Sequence, residues 1–255
     1  MSEPLYKKNM LEWYEKLYCK SEKTKEQIKF LEKIFKKNEC KKILDVPCGT
    51  GRHSIELAKK GFRVTGLDVE KCMIGYAKKK SKKIRNVKFM LGDMRNFKLG
   101  EKFDAAIIMY GSFAYMTSNK DALSCLHTIK KHLRKNGLII IEDDNPWQDI
   151  AAGKKKLTCT AQNEKLRLIT EFNIKTMHDN NLIHVSSIYK RFSGKKKLPV
   201  IKDPKPVTLR VFSRNEMELL LMYAGFKGIK FFSNFRGEKL SKKSYRKLIT
   251  VATKA

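Results

Sequence analysis

The sequence predicts an α/β fold, in which a doubly wound, mostly parallel sheet of seven strands carries a small antiparallel β insertion. Short apolar runs alternate with helical segments between residues 24 and 143, a pattern typical of a parallel sheet covered by helices on both faces. After Trp147 this alternation gives way to strand-like segments separated by turn residues. With 255 residues, of which 42% are hydrophobic, the chain has enough apolar side chains for one ample core.

The first half of the chain supplies the parallel strands. Residues 24–37 place Ile28, Leu31, Ile34 and Phe35 at helical spacing, so an amphipathic helix precedes the first strand. Strands and helices then alternate, and Gly61 is a stop signal for the first of these helices. The predicted strands are 41–46, 62–69, 87–93, 103–111 and 138–143, and the predicted helices are 52–61, 72–83 and 121–137.

The second half begins with antiparallel strands and returns to the main sheet. Residues 167–178, 181–194 and 206–213 are predicted strands, since turn residues separate them and no helix intervenes. A helix follows over 213–226, where Ser213 and Glu216 form a capping-box pattern. Two final strands, 227–235 and 245–254, complete the sheet.

The chain is strongly basic, with 56 Lys and Arg against 26 Asp and Glu and a formal net charge of +30. Such a charge attracts polyanions, but the lysine runs at 78–83, 153–156 and 194–197 are scattered and typical of solvated helix ends and loops. No apolar run is long enough to cross a membrane, and the first sixteen residues lack the apolar region of a secretory signal. The six cysteines form no C-x-x-C pair. We expect a cytoplasmic protein with reduced thiols, no membrane partner and no metal.

The most informative stretch is ILDVPCGTGRHSIELAKKGFRVTGLDV, residues 43–69. A glycine turn between a strand and a helix lets the backbone approach a ligand closely. The dinucleotide fingerprint would need a third glycine where this chain has Ser54. Asp45, at the end of the first strand, would repel a pyrophosphate and suits a ligand with a cationic portion.

This arrangement resembles the first motif of class I S-adenosylmethionine-dependent methyltransferases, which have a Rossmann-like fold. The resemblance is strongest to members of about 250 residues that carry a small β lid and act mostly on small molecules. Pro47 departs from the commoner glycine of the motif, fixing φ and removing one N–H donor. The resemblance implies S-adenosylmethionine as cofactor and S-adenosylhomocysteine as product. It also implies these binding residues: Asp45, Cys48, Gly49, Thr50 and Gly51 in the turn, Asp68 at the ribose with Val69 next to it in the sequence, Asp93 and Met94 at the adenine, and Met109 and Tyr110 at the methionine end.

The resemblance also implies a division of the chain and a small-molecule methyl acceptor. We expect an N-terminal helical cap over 1–40, a cofactor-binding core over 41–147, an antiparallel β lid over 148–212, and a C-terminal helix and strand pair over 213–255. Tyr14, Tyr115 and Arg210 are candidates for the acceptor pocket. Methyl transfer draws much of its rate from proximity and alignment, so the absence of a recognisable catalytic residue is compatible with this chemistry.

Alternatives remain open at this stage. An RNA methyltransferase would use the distributed lysines as a backbone-binding face, and a non-catalytic protein would bind S-adenosylmethionine or nucleic acid without turnover. Asp68 is also a possible helix cap, and His53 more often packs or caps than acts as a base. The tetrapeptide DNPW at 144–147 resembles a base-binding signature, but it follows the fifth strand instead of the fourth, so we expect it at the pocket mouth.

Overall fold

The computed structural model of the chain describes residues 11, 13, 22–144, 149, 153–162, 165–177, 181–203, 205–241 and 247–255. These residues belong to two compact units. One unit comprises Lys25–Asn145 and Phe212–Ala255, and we call it the core unit. The other comprises Met1–Thr24 and Pro146–Val211, and we call it the antiparallel unit.

The core unit contains the seven-stranded, mostly parallel sheet that the sequence predicts. Six strands run in the same direction, and only β13 runs antiparallel to its neighbours, β12 and β5. The strand order is β12-β13-β5-β4-β1-β2-β3. The strands are β1 (Lys42–Asp45), β2 (Arg63–Asp68), β3 (Val87–Leu91), β4 (Phe103–Ile108), β5 (Leu133–Asp144), β12 (Phe226–Phe232) and β13 (Lys247–Lys254).

Helices cover both faces of this sheet and supply two large apolar clusters. One cluster includes Leu126, Phe212 and Leu221, and the cluster on the other face includes Leu31, Phe35 and Ile107. The predicted capping box is present, because Ser213 accepts from the Glu216 N–H and Glu216 reaches back to the Ser213 N–H. The helices are α1 (Glu22–Lys37), α2 (Arg52–Lys59), α3 (Lys71–Lys80), α4 (Asn119–His132) and α5 (Arg214–Tyr223), with a 3₁₀ turn at Ser112–Tyr115.

The predicted end of the fourth helix is wrong. The sequence predicts a helix as far as Gly137, but α4 ends at His132 and Leu133 is already extended, with ψ of 145°. Leu133 pairs with Phe103 across the sheet. Because Leu133 is an apolar residue whose strand pairs with β4, this tertiary pairing ends the helix before the basic residues that follow, Arg134 and Lys135.

The antiparallel unit contains the second sheet, and its six strands are three more than we predict. The sequence indicates β7 (Leu166–Met177), β8 (Leu182–Ser193) and β11 (Val207–Arg210) but not β6 (Lys156–Gln162), which pairs with β7 along its whole length. In β6, Leu157, Cys159 and Ala161 alternate with polar residues. This is a strand pattern that the sequence analysis missed. Two short strands, β9 (Lys196–Lys197) and β10 (Ile201–Lys202), also pair with β8. Within the described residues, no helix has the length and apolar content needed to cross a membrane.

Candidate cofactor site

The candidate site lies where the connections of the main sheet change direction. The chain passes from β1 to β2 on one side, whereas β4 pairs with β1 on the other. Ligands of open α/β sheets bind at such a switch point, beyond the carboxyl ends of the strands. Asp45 ends β1 and Asp68 ends β2, so both predicted acids lie at this edge of the sheet.

The turn between β1 and α2 requires its glycines for two different reasons. Gly49 and Gly51 have φ of 53° and 77°, a region that other residues seldom adopt. A Cβ atom on Gly51 would lie 2.6 Å from the Phe89 ring, whereas one on Gly49 would meet no atom within 4 Å. Gly51 therefore permits close packing beneath the turn, and Gly49 faces open space. The Val46–Pro47 peptide bond within this segment is cis.

Asp68 connects the glycine turn to the loop that follows β2. Its carboxylate accepts from the Gly49 N–H at 2.7 Å and from the Glu70 N–H at 2.9 Å. Beside it, the side chains of Val69 and Leu91 are more than half exposed. A buried acid thus lies next to an open apolar surface at the ends of β2 and β3, a combination suited to a nucleoside.

Asp45 is a buried carboxyl group with unused hydrogen-bonding capacity. It is 1% exposed, and the Ser54 hydroxyl donates to its Oδ2 at 2.5 Å. Within the part of the chain that the structure describes, neither Asp45 Oδ1 nor the buried Thr50 hydroxyl has a hydrogen-bond partner. Burial raises the pKa of Asp45 to about 7, with nearby Asp68 adding to the shift and the Ser54 hydrogen bonds opposing it. A cationic ligand would satisfy this carboxyl group and favour its ionised form.

The loop after β3 commits its acid to a local ion pair. Arg95 Nη2 donates to Asp93 Oδ2 at 2.6 Å, and this hydrogen bond is the main reason that the pKa of Asp93 is lowered. The same guanidinium contacts Asp121 at 3.2 Å. Met94 is 9% exposed and packs within the larger apolar cluster. The ion pair of Asp93 and the packing of Met94 in the core therefore hold this loop in place.

The segment after β4 forms the remaining side of the site. Met109 is buried, whereas Tyr110 and Tyr115 are 36% and 42% exposed. Tyr110 has φ of 64°, and its ring lies beneath the Arg52 guanidinium at 4.5 Å from the ring centroid. Tyr110 N donates to the Glu142 carboxylate at 3.0 Å. The side chain of Glu142 is fully buried.

Glu142 belongs to a polar cluster that the sequence analysis missed. Gln27, His53 and Lys247 join Glu142 through hydrogen bonds beneath the segment after β4. One signal was available, because Gln27 interrupts the apolar face of α1 that carries Ile28 and Leu31. Burial is the main reason that the pKa of His53 is lowered well below its usual value, so this ring is neutral at pH 7.

Three predicted residues have other placements. Cys48 is buried and the desolvation of its thiol raises its pKa well above the usual value, which fits a packing role. Arg210 ends β11 and belongs to the antiparallel unit. Tyr14 lies outside the described residues.

Comparison with known proteins identifies the domain that bears this geometry. Residues 43–137 match the family model described as a methyltransferase domain. Residues 43–137 therefore form a methyltransferase domain. Its fold matches that of an S-adenosylmethionine-dependent methyltransferase from Clostridium acetobutylicum with a TM-score of 0.79 and 15% identity, over 97% of this chain and 98% of that one. The Streptomyces venezuelae protein DesVI matches with a TM-score of 0.77 and 20% identity, over 98% of this chain and 100% of that one.

The methyltransferase domain also has curated relatives, which it matches over part of their length. A dTDP-3-amino-3,4,6-trideoxy-alpha-D-glucopyranose N,N-dimethyltransferase from Streptomyces venezuelae is 31% identical over 109 residues, which are 43% of this chain and 44% of the relative. The putative methyltransferase YqeM from Bacillus subtilis is 29% identical over 163 residues, which are 64% of this chain and 58% of the relative. The predicted fold class and the predicted family resemblance are confirmed.

S-adenosylmethionine is the cofactor of this class of methyltransferase domain, and the site fits it chemically. The cofactor carries a cationic methionine end, a ribose and an adenine. The buried Asp45 carboxyl group has an unpartnered oxygen within the described residues, Asp68 is a second acid, and Gly49 leaves open space at the turn. These groups supply the acceptors and the room that the three parts of the cofactor require.

Proposed function

We propose that this protein is an S-adenosylmethionine-dependent methyltransferase that methylates an amine nitrogen of a small molecule. The observation that carries the proposal is the pairing of two acids, Asp45 and Asp68, on either side of a glycine turn at the carboxyl ends of adjacent strands. A dinucleotide site would not place a buried carboxyl group beside a phosphate.

In this proposal the core unit holds the cofactor from three directions. The Asp68 carboxylate accepts from the ribose hydroxyls while keeping its bonds to the loop, and Val69 covers one side of the adenine. Asp45 faces the cationic methionine end, close to Met109 and Tyr110. Gly49, having no side chain, lets the backbone approach the ligand. The remaining turn residues, Cys48, Thr50 and Gly51, shape the turn, and Asp93 and Met94 fix the loop beside the adenine.

When bound, S-adenosylmethionine supplies the methyl group, whose transfer to an acceptor lone pair breaks the carbon–sulfur bond and leaves S-adenosylhomocysteine. A neutral amine has that lone pair, so the protein needs to orient and desolvate the acceptor more than it needs a base. The printed names of several relatives support nitrogen as the acceptor, among them three amino-sugar N,N-dimethyltransferases and the rat glycine N-methyltransferase. Tyr115 is a candidate for contact with the acceptor, and the roles of Tyr14 and Arg210 stay predictions.

The first experiment tests the cofactor. At about a hundredfold excess over Kd, S-adenosylmethionine should stabilise the folded protein by roughly 2.7 kcal/mol. For a chain of this size, that free energy corresponds to roughly 5–10 °C in melting temperature. NAD serves as the control, and a shift with NAD alone would reject the assignment.

The second experiment tests the acceptor with methyl-labelled S-adenosylmethionine. We expect label in a fraction of small amines and none in bulk tRNA or rRNA. The RNA alternative rests on the net charge of +30, and it predicts labelled RNA instead. Cofactor binding without any label transfer to either pool would favour a non-catalytic protein. The proposed location is the cytoplasm.

A further inference from the structure

Glu142 is a fully buried acid of the core unit with several hydrogen-bond partners. Its Oε2 accepts from Gln27 Nε2 and from Tyr110 N, each at 3.0 Å, and Lys247 Nζ donates to its Oε1 at 2.5 Å. Its backbone carbonyl accepts from Gly111 N at 3.0 Å. One residue at the end of β5 therefore binds two consecutive peptide N–H groups of the segment after β4.

Those two N–H groups belong to a turn with an unfavourable backbone. Tyr110 and Gly111 have φ of 64° and 70°, and an aromatic residue seldom adopts this left-handed region. Such conformations persist where the surroundings over-determine them. Here the side-chain carboxylate of Glu142 accepts from the Tyr110 N–H, and the backbone carbonyl of Glu142 accepts from the Gly111 N–H.

The contacts of the Tyr110–Gly111 turn form a closed series of interactions that begins and ends at Glu142. The Tyr110 ring packs under the guanidinium of Arg52, at the start of α2. The next residue along α2 is His53, whose Nε2 is 3.0 Å from Gln27 Oε1. Gln27, on α1, leads back to Glu142. These interactions link α1, α2 and the ends of β4 and β5 to the Glu142 carboxylate.

The charge of Glu142 also sets the direction of the hydrogen bonds that connect it to Gln27 and Gln27 to His53. An ionised carboxylate accepts only, so Gln27 must present its NH₂ group to Glu142 and its oxygen to His53. The neutral His53 ring must then donate from Nε2, which leaves Nδ1 without a proton. A single tautomer of His53 is therefore a consequence of the Glu142 charge.

We propose that Glu142 is a positioning residue, which holds the Tyr110–Gly111 turn in its left-handed form and so shapes the methionine end of the cofactor site. The inference rests on the proposed function, because that proposal places Tyr110 beside the cofactor. Gln27 carries the same constraint to His53, and this gives α1 a part in forming the site. Glu142 does not contact the reacting atoms in this proposal.

Glu142→Gln tests the proposal, because an amide of the same shape has one acceptor oxygen for three donors. We expect S-adenosylmethionine affinity, measured by titration calorimetry, to fall about tenfold or more. We also expect the Tyr110 and Gly111 amides to exchange faster with solvent, and the ring nitrogens of His53 to show a mixture of tautomers by ¹⁵N NMR.

Asp104→Asn is the matched control. Asp104 Oδ2 accepts two backbone N–H groups, from Lys41 and Lys42, each at 2.8 Å, and its Oδ1 pairs with Arg134. It is the second residue of β4 and lies at the amino end of this strand, opposite the carboxyl ends that form the site. We expect this variant to lose melting temperature, as Glu142→Gln does, and to keep its cofactor affinity within about twofold.

A folded Glu142→Gln protein with unchanged affinity would overturn the proposal, and so would an equal loss of affinity in Asp104→Asn. If Glu142→Gln fails to fold, two other measurements test the proposal: amide exchange in the wild-type protein and the His53 tautomer in Gln27→Met. The proposal would be contradicted if the Tyr110 and Gly111 amides of the wild type exchanged with solvent as fast as those of an exposed loop. It would also be contradicted if Gln27→Met left the tautomer of His53 unchanged. These two measurements need no cofactor, so failure of the wild type to bind S-adenosylmethionine would count against the proposed function alone.

Discussion

Replacing Asp45 by asparagine should change the way in which the stability of the cofactor-free protein depends on pH. Asp45 is 1% exposed, and its burial raises its pKa from 3.8 to about 7. Below pH 3.8 the group is protonated in both the folded and the unfolded chain. Above that pH the unfolded chain releases the proton first, so ionisation favours unfolding until the folded group also ionises near pH 7.

The size of this effect follows from the difference between the two pKa values. Each pH unit of difference corresponds to about 1.4 kcal/mol, so the free energy of unfolding should fall by about 4 kcal/mol between pH 4 and pH 7 through this group. Asparagine does not titrate and lacks this fall. It keeps an acceptor for the Ser54 hydroxyl but buries an amide N–H, which adds a cost that does not vary with pH.

The measurement is urea unfolding of both proteins without cofactor, from pH 4 to pH 8. The free energy of unfolding of Asp45→Asn minus that of the wild type should rise by about 4 kcal/mol over pH 4 to 7 and then level off. Titrating groups that do not interact with Asp45 act equally in both proteins and cancel in the difference. If the free energies of unfolding of the two proteins differed by a constant amount, within about 1 kcal/mol, across this pH range, the raised pKa of Asp45 would be refuted.

The same carboxyl group should control the affinity for the cofactor. If the cationic methionine end selects ionised Asp45, the wild-type affinity for S-adenosylmethionine should rise about tenfold per pH unit below pH 7 and level off above it. Asp45→Asn should show no such slope and should bind more weakly at pH 8. Calorimetry at pH 6 and pH 8 in buffers of different ionisation enthalpy would also report the proton released. Equal slopes in the two proteins would contradict the pairing.

Three further changes test the turn, the ribose acid and the basic surface. Asp68→Ala should weaken S-adenosylmethionine binding by about 1.5–3 kcal/mol in calorimetry, and it should also lower the melting temperature of the free protein, because the carboxylate holds two backbone N–H groups; unchanged affinity would show a purely structural acid. Gly51→Ala should destabilise the protein by more than about 1–2 kcal/mol in urea unfolding, because its Cβ would meet Phe89 at 2.6 Å, whereas Gly61→Ala introduces a Cβ into open space and should cost less. Neutralising the lysines of 78–83 should leave methyl transfer to the acceptor unchanged, and that transfer should be nearly independent of salt; a steep salt dependence that the variant abolishes would instead indicate an RNA substrate.

The sequence by itself determined the main sheet and the position of the candidate cofactor site. The alternation of strands and helices is a local pattern, and a parallel sheet brings the carboxyl ends of β1 and β2 to one edge, so Asp45 and Asp68 could be placed together without coordinates. The glycines of the turn and the capping box at Ser213 are equally local, because each depends on residues only a few positions apart.

Only the tertiary structure decided the features that depend on distant partners. The two-residue strands β9 and β10 exist because β8 pairs with them, and α4 ends at His132 because Leu133 pairs with Phe103. Gln27 and Glu142 are 115 residues apart, and neither residue alone predicts a buried hydrogen bond. Composition and periodicity specify which faces are apolar, but a polar group inside the core acquires its role from the partner that the fold brings to it.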